Sequence, residues 1–133
     1  MTSLFHQHGS YELSVRNKVF IATLHDSWNK ETAQAYSEEF KEAVQPLTSD
    51  SWGHLVFLDH WQLATPDVIP VIEELTQWCI SNNLTAAAQV YSPSEIKKHQ
   101  LDAMVIERLG DFQRCVFDNE QQAREWLTKL SFL

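Results

Sequence analysis

The sequence predicts a single α/β domain: a mixed, mostly parallel five-stranded sheet packed with four helices, in the order ββαβαβαβα. Three observations carry this reading. Short apolar segments alternate with longer amphipathic ones, the pattern of strands joined by helical crossovers. The first two strands are separated by two residues, too few for a crossover, so that pair is an antiparallel hairpin. Helix-start motifs stand where each apolar periodicity changes from two to three or four. Residues 1–10 read as an N-terminal tail and 11–133 as the domain.

Tyr11 to Val15 alternates apolar and polar residues, as a half-buried strand does. Asn17-Lys18 supplies the turn, and Val19 to Leu24 the second, more apolar strand. Asn29 is placed to cap the first helix, with Glu31 facing the positive end of its dipole. Ala33, Tyr36, Phe40, Ala43, Val44 and Leu47 form its inward stripe, and Pro46 closes it. Leu55 to Leu58 is uninterruptedly apolar, the mark of a strand covered on both faces.

Thr65 or Asp67 caps the second helix, with Pro66 and Pro70 in its opening turns. Ile72, Leu75, Trp78 and Cys79 face inward, and Ser81-Asn82-Asn83 ends it. Thr85 to Tyr91 is the fourth strand. Ser92-Pro93-Ser94-Glu95 reads as a capping box for a third helix running to Leu109, with Gly110 just past its end. Phe112 to Phe117 is the fifth strand. Asp118 and Gln121 form a second capping box, followed by the stripe Ala123, Trp126, Leu127 and Leu130.

Eighteen acidic against ten basic residues give a net charge of −8, which excludes nucleic acid as a partner because phosphate binding needs clustered cations. The same balance argues against adhesion to anionic lipid by charge alone. Cys79 and Cys115, both expected to be buried thiols, are too few for a disulfide framework or a zinc knuckle. Residues 1–10 lack the pattern of a signal peptide, and no apolar run approaches the roughly 18 residues of a membrane span. The expected location is cytoplasmic, peripheral to the inner face of the membrane if a membrane is touched.

Catalytic chemistry finds little support. There is no G-x-S-x-G elbow, and Gly9, Gly53 and Gly110 are isolated, so no loop cradles a phosphate. His6 and His8 lie in the tail. His25-Asp26 and Asp59-His60 follow the second and third strands, where neighbouring strand ends bring a carboxylate–imidazole cluster within reach, but without recognised ligand spacing. No catalytic residue, metal or cofactor is expected. An enzyme built on His25, Asp26, Asp59 and His60 stands as the last alternative.

The closing segment resembles a known family. Cys115-Val116-Phe117, the turn Asp118-Asn119-Glu120, then Ala123-Arg124-Glu125-Trp126-Leu127 is similar to the C-terminal pattern of the SpoIIAA-like family. The element order from Tyr11 to Leu130 is similar to the STAS-type fold of sulfate transporters and anti-sigma factor antagonists. That resemblance implies a small stand-alone domain that binds an apolar ligand and touches a membrane. Anti-sigma antagonists carry a phosphorylatable serine in a Ser-Ser-Gly signature before the second helix. Here the stretch from Asp59 to Asp67 has none, and Thr65 is its only hydroxyl.

Apolar residues in excess of one stripe point to a site. Val68, Ile69 and Ile72 crowd the start of the second helix, and Met104, Val105 and Ile106 the end of the third. With Trp61 and Leu63 as a roof, they are expected to frame a crevice for an apolar or lipid-like small molecule. Lys97 and Lys98 are the candidate headgroup or membrane contacts. The expected function is non-enzymatic binding. The alternative is a protein–protein regulator of the anti-sigma antagonist type without the usual phosphoserine, and a homodimer or a regulatory protein is the alternative partner.

Overall fold

A computed structural model describes residues 10–62, 65–104 and 108–133, with the side chains of 95, 96, 103 and 104 outside the described set. The elements are β1 (Ser10–Arg16), β2 (Val19–His25), α1 (Lys30–Ala43), β3 (Trp52–Phe57), α2 (Val68–Ser81), β4 (Leu84–Val90), α3 (Glu95–Met104), β5 (Arg108–Leu109), β6 (Phe112–Phe117) and α4 (Glu120–Lys129), with a 3-10 turn at Gln45–Leu47. The sheet order is β1-β2-β3-β4-β6-β5.

β1 and β2 pair antiparallel from Ser10↔His25 to Arg16↔Val19, with Asn17 at φ 54° in the two-residue turn. β2, β3, β4 and β6 are parallel neighbours. Each crossover among them advances in the same direction, so right-handed connections put α1, α2 and α3 on one face. That face holds the main core, in which Phe20, Trp28, Phe40, Trp52 and Leu58 are almost fully buried. α4 packs on the other face, where Ala123 and Leu127 meet Val19, Leu55, Ala86 and Ala88. Leu55 and Val56 thus serve opposite cores, as expected of the continuous apolar run in β3.

The strand count corrects the sequence reading: among the described residues there are six, because Arg108 and Leu109, expected to end the third helix, form a strand instead. Arg108 and Leu109 pair antiparallel with Gln113 and Phe112, and Gly110, at φ 59°, sits in the hairpin turn instead of capping a helix. A glycine followed by Asp suits either role, and pairing with β6 decides between them.

The caps follow the same rule of chemistry right and position shifted. Asn29 caps α1 as expected, accepting from the backbone N–H and hydroxyl of Thr32. At α3 the Ser94 hydroxyl, not that of Ser92, accepts from Lys97 N. At α4 the cap is Asn119, which accepts from Gln122 N, rather than Asp118. Neither Thr65 nor Asp67 makes a side-chain cap on α2. Asp67 occupies the cap position, and the Thr65 hydroxyl donates to its carboxylate. Cys115 is half-buried rather than buried, while Cys79 lies in the main core.

Gly53 on β3 lies close against Leu127 of α4 and Phe132 beyond it. A Cβ there would stand 3.1 Å from Leu127 Cδ2 and 3.2 Å from Phe132 Cδ2. Leu127 is fully buried and Phe132 is pinned by two backbone bonds, to Lys18 N and from its own N to Leu127 O. Gly53→Ala is therefore expected to lower unfolding free energy by about 1 kcal/mol, despite the better strand propensity of alanine, as read by urea denaturation.

Candidate binding site

The loops after β2 and β3 are zipped together beyond the sheet. Asp26, held at φ 63°, donates its N–H to His60 O at 2.9 Å and accepts from Gln62 N at 3.1 Å, in a parallel bridge with Trp61. This seats Trp61 inside the main core with 2% of its surface exposed, its ring 5.8 Å from Trp28 and nearly perpendicular to it. Its indole Nε1 has no hydrogen-bond partner among the described residues.

The expected crevice is thereby redrawn. Trp61 and Val68 are buried core residues, and of the expected set Trp61 and Ile72 line an internal cavity. Ile69 and Ile72 are half-buried and pack against the same core. Leu63, Val105 and Ile106 lie outside the described residues, and Met104 ends α3 with its side chain outside them too. α2 does pack against α3, and also against α1, so its excess apolar residues serve two helix neighbours as well as the sheet.

Lys97 is engaged within the fold. Its ammonium donates to Leu58 O at 2.7 Å and reaches Asp59 O at 3.4 Å, tying α3 to the end of β3. Lys98 pairs with Asp102 one turn along α3, at 2.9 Å. A second tie is Arg114 on β6, whose guanidinium donates from Nε to Gln89 Oε1 at 2.6 Å and from Nη2 to Asp102 Oδ1 at 2.9 Å. Lys98 and Arg114 together hold the Asp102 carboxyl below its ordinary range.

Of the His–Asp cluster, half assembles. The rings of His25 and His60 stack at 6.1 Å, and His25 Nε2 meets Glu12 Oε2 at 2.8 Å. Asp59 instead accepts from Ser92 N at 2.7 Å, and Asp26 engages through its backbone. Among the described residues no three His, Cys, Asp or Glu side chains converge to hold a metal.

Beneath α1, α2 and α3 lies a cavity of about 80 Å³. Its apolar walls include Leu24, Phe40, Val56, Leu75, Leu84 and Leu101, and Ile72 closes one side. Tyr36, His54, Trp61, Thr76, Cys79 and Gln89 add polar groups. Thr76 and Gln89 are engaged, the hydroxyl with Ile72 O and the amide oxygen with Arg114. His54 rises from the middle of the sheet, 5.1 Å from Phe40, and its Nδ1 bonds Phe20 O at 2.8 Å. A carbonyl only accepts, so Nδ1 carries the proton and Nε2 a lone pair. Burial pushes this imidazole down from 6.5 to about 4, against the opposing pull of the Phe20 carbonyl. Sequence reading missed His54 because it was placed just outside the third strand; the strand's true start at Trp52 puts it on the covered face.

With the geometry in hand, the class is a SpoIIAA/STAS-like fold. An uncharacterized protein of the DUF3478 family from Shewanella loihica PV-4, described as having a SpoIIAA-like fold, superposes with a TM-score of 0.66, covering 96% of this chain and 99% of that one at 8% identity. The anti-sigma factor antagonist SpoIIAA in its unphosphorylated form superposes with a TM-score of 0.59, covering 93% and 100% at 8% identity. No family model and no curated protein matches the sequence. At this identity the likeness is one of fold. Among the described residues no helix is long and apolar enough to cross a membrane.

Proposed function

We propose that the chain is a protein–protein regulator of the anti-sigma antagonist type, docking through the start of α2 and acting without a phosphoserine switch. The observation that carries this reading is the end-to-end superposition on SpoIIAA, with neither chain holding a large segment the other lacks. Local features support it. Thr65, Pro66 and Asp67 form an exposed turn at the mouth of α2, and the Thr65 hydroxyl is already bonded to Asp67. A hydroxyl so engaged, with a carboxylate beside it, is a poor place to add a phosphate dianion.

Charge indicates the kind of partner. Glu31, Glu38, Glu39 and Glu42 on α1 and Asp67, Glu73 and Glu74 around α2 are all exposed, so the partner surface is basic. The lipid-like reading loses ground because drug-sized ligands fill roughly 300–1,000 Å³, against about 80 Å³ here.

The test is affinity capture from the native host, identification of the partner by mass spectrometry, and titration calorimetry with the purified pair. Binding to a kinase or sigma-related regulator is expected, weakened about tenfold by Asp67→Lys, since one rim charge reversal is worth of order 1 kcal/mol. Affinity should also fall as salt rises. A fatty acid or phospholipid co-purifying in native mass spectrometry, with no such partner found, would return the lipid-carrier and membrane-contact reading in its place.

A further inference from the structure

We propose that the cavity beneath α1, α2 and α3 is a binding site for a small neutral molecule of about four heavy atoms, apolar in body and carrying one oxygen acceptor, such as a short branched alcohol or ketone. This goes beyond the docking function and does not depend on it. Size sets the first limit. A cavity of about 150 Å³ accommodates benzene, and a water occupies roughly 30 Å³ in the liquid; about 80 Å³ therefore takes a molecule well short of an aromatic ring. It is also too small for an acyl chain.

Polarity sets the second. Trp61 is buried and lines the cavity, yet its indole N–H is left without a partner among the described residues. An unmade bond of this kind is costly, and folded proteins rarely leave one without an occupant to accept it. The complement of an N–H donor is an oxygen acceptor. The remaining walls are nearly all alkyl and aromatic, so the rest of the occupant is apolar.

Charge is excluded by the third. No Lys or Arg lines the cavity among the described residues, and the buried cation Arg114, bonded to the lining residue Gln89, is already paired with Asp102. The imidazole of His54 is neutral, and its Nε2 lone pair accepts, so it favours a hydroxyl over a carboxylate on that side. An alcohol, able both to accept and to donate, matches the two polar groups better than a ketone does.

The experiment is a titration of the ¹⁵N-labelled protein with 2-propanol, following the five indole N–H resonances, with Trp61 assigned by the peak lost in Trp61→Phe. A saturable downfield shift of the Trp61 signal is expected, half-complete at millimolar concentration as four heavy atoms allow. The other four indoles should drift only linearly. Acetone should shift the same peak more weakly, and xenon should enter without a downfield shift. Ala87→Leu, which fills the cavity from β4, should abolish saturation without lowering the melting temperature; Ile72→Phe fills it from α2 if that variant folds poorly. Linear drift of all five indoles alike would overturn the proposal, as would laurate moving the Trp61 resonance at lower concentration than 2-propanol.

Discussion

Acidification from pH 7 to pH 4 is expected to remove about 2–3 kcal/mol of stability through one side chain, His54. Its folded-state value of about 4 lies below the ordinary 6.5. Between these two values the unfolded chain binds a proton that the folded chain refuses. Stability is therefore fully present above pH 6.5, falls progressively below it, and stops falling near pH 4, where both states are protonated. At about 1.4 kcal/mol per pH unit the interval bounds the effect near 3 kcal/mol, and the part of the ring that faces the cavity lowers it somewhat.

The cause is geometric. His54 stands on β3 with β2 and β4 on either side and Phe20 and Phe40 against its ring, so a cation there loses most of its hydration and, among the described residues, has no carboxylate to meet. Urea unfolding at half-unit steps from pH 7.5 to 4 measures this directly. The variant His54→Gln should flatten the profile across the upper part of that window. Carboxylates contribute only in its lower part, so an unchanged slope between pH 6.5 and 5 would remove His54 as the source.

Arg114→Ala is expected to cost about 3 kcal/mol, which for a chain of this length is roughly 10 °C in Tm. The Arg114 side chain is 2% exposed and Asp102 is 43% exposed, so the two ends of this ion pair differ in what they lose. Removing the guanidinium leaves a void against β4 and strips Gln89, itself buried, of the donor to its amide oxygen. Removing the carboxylate leaves a cation with a second acceptor still in place. Asp102→Asn should accordingly cost less than about 1 kcal/mol, close to an ordinary surface pair.

Arg114→Met, which keeps the volume and omits the charge, should fall between the two at about 1–2 kcal/mol. Because Arg114 and Lys97 are the described polar ties of α3 to the sheet, hydrogen exchange in α3 should accelerate in Arg114→Ala more than in α1. Equal costs for the Ala and Met variants would mean that the charge, not the packing, carries the effect.

The order of elements apart from β5, the β1–β2 hairpin, the Asn29 cap and the stripes of α1 (except Ala43, which is exposed), α2 and α4 were legible in the sequence, because each depends on neighbours within a few residues. Periodicity, a turn residue and a capping side chain act locally, and the backbone must satisfy them wherever the segment ends up. The caps at Ser94 and Asn119 lie two residues and one residue from where the motifs put them. At those positions several hydroxyl or amide side chains compete, and docking on the sheet selects among them.

The rest was decided by packing between distant segments. Whether Arg108 and Leu109 prolong a helix or start a strand depends on β6 being free on its outer edge. Lys97 reads as a solvated charge until α3 is laid over the end of β3, 39 residues away in sequence. Val68 and Trp61 read as surplus apolar surface until α2 is seen to contact α1, α3 and the sheet together. The sequence by itself determined a mostly parallel α/β sheet and located the start of α2 as its unusual region. Only the tertiary structure closed that region over a cavity, because the size of a cavity is a residue of how well three helices fit one sheet, and no local pattern encodes that fit.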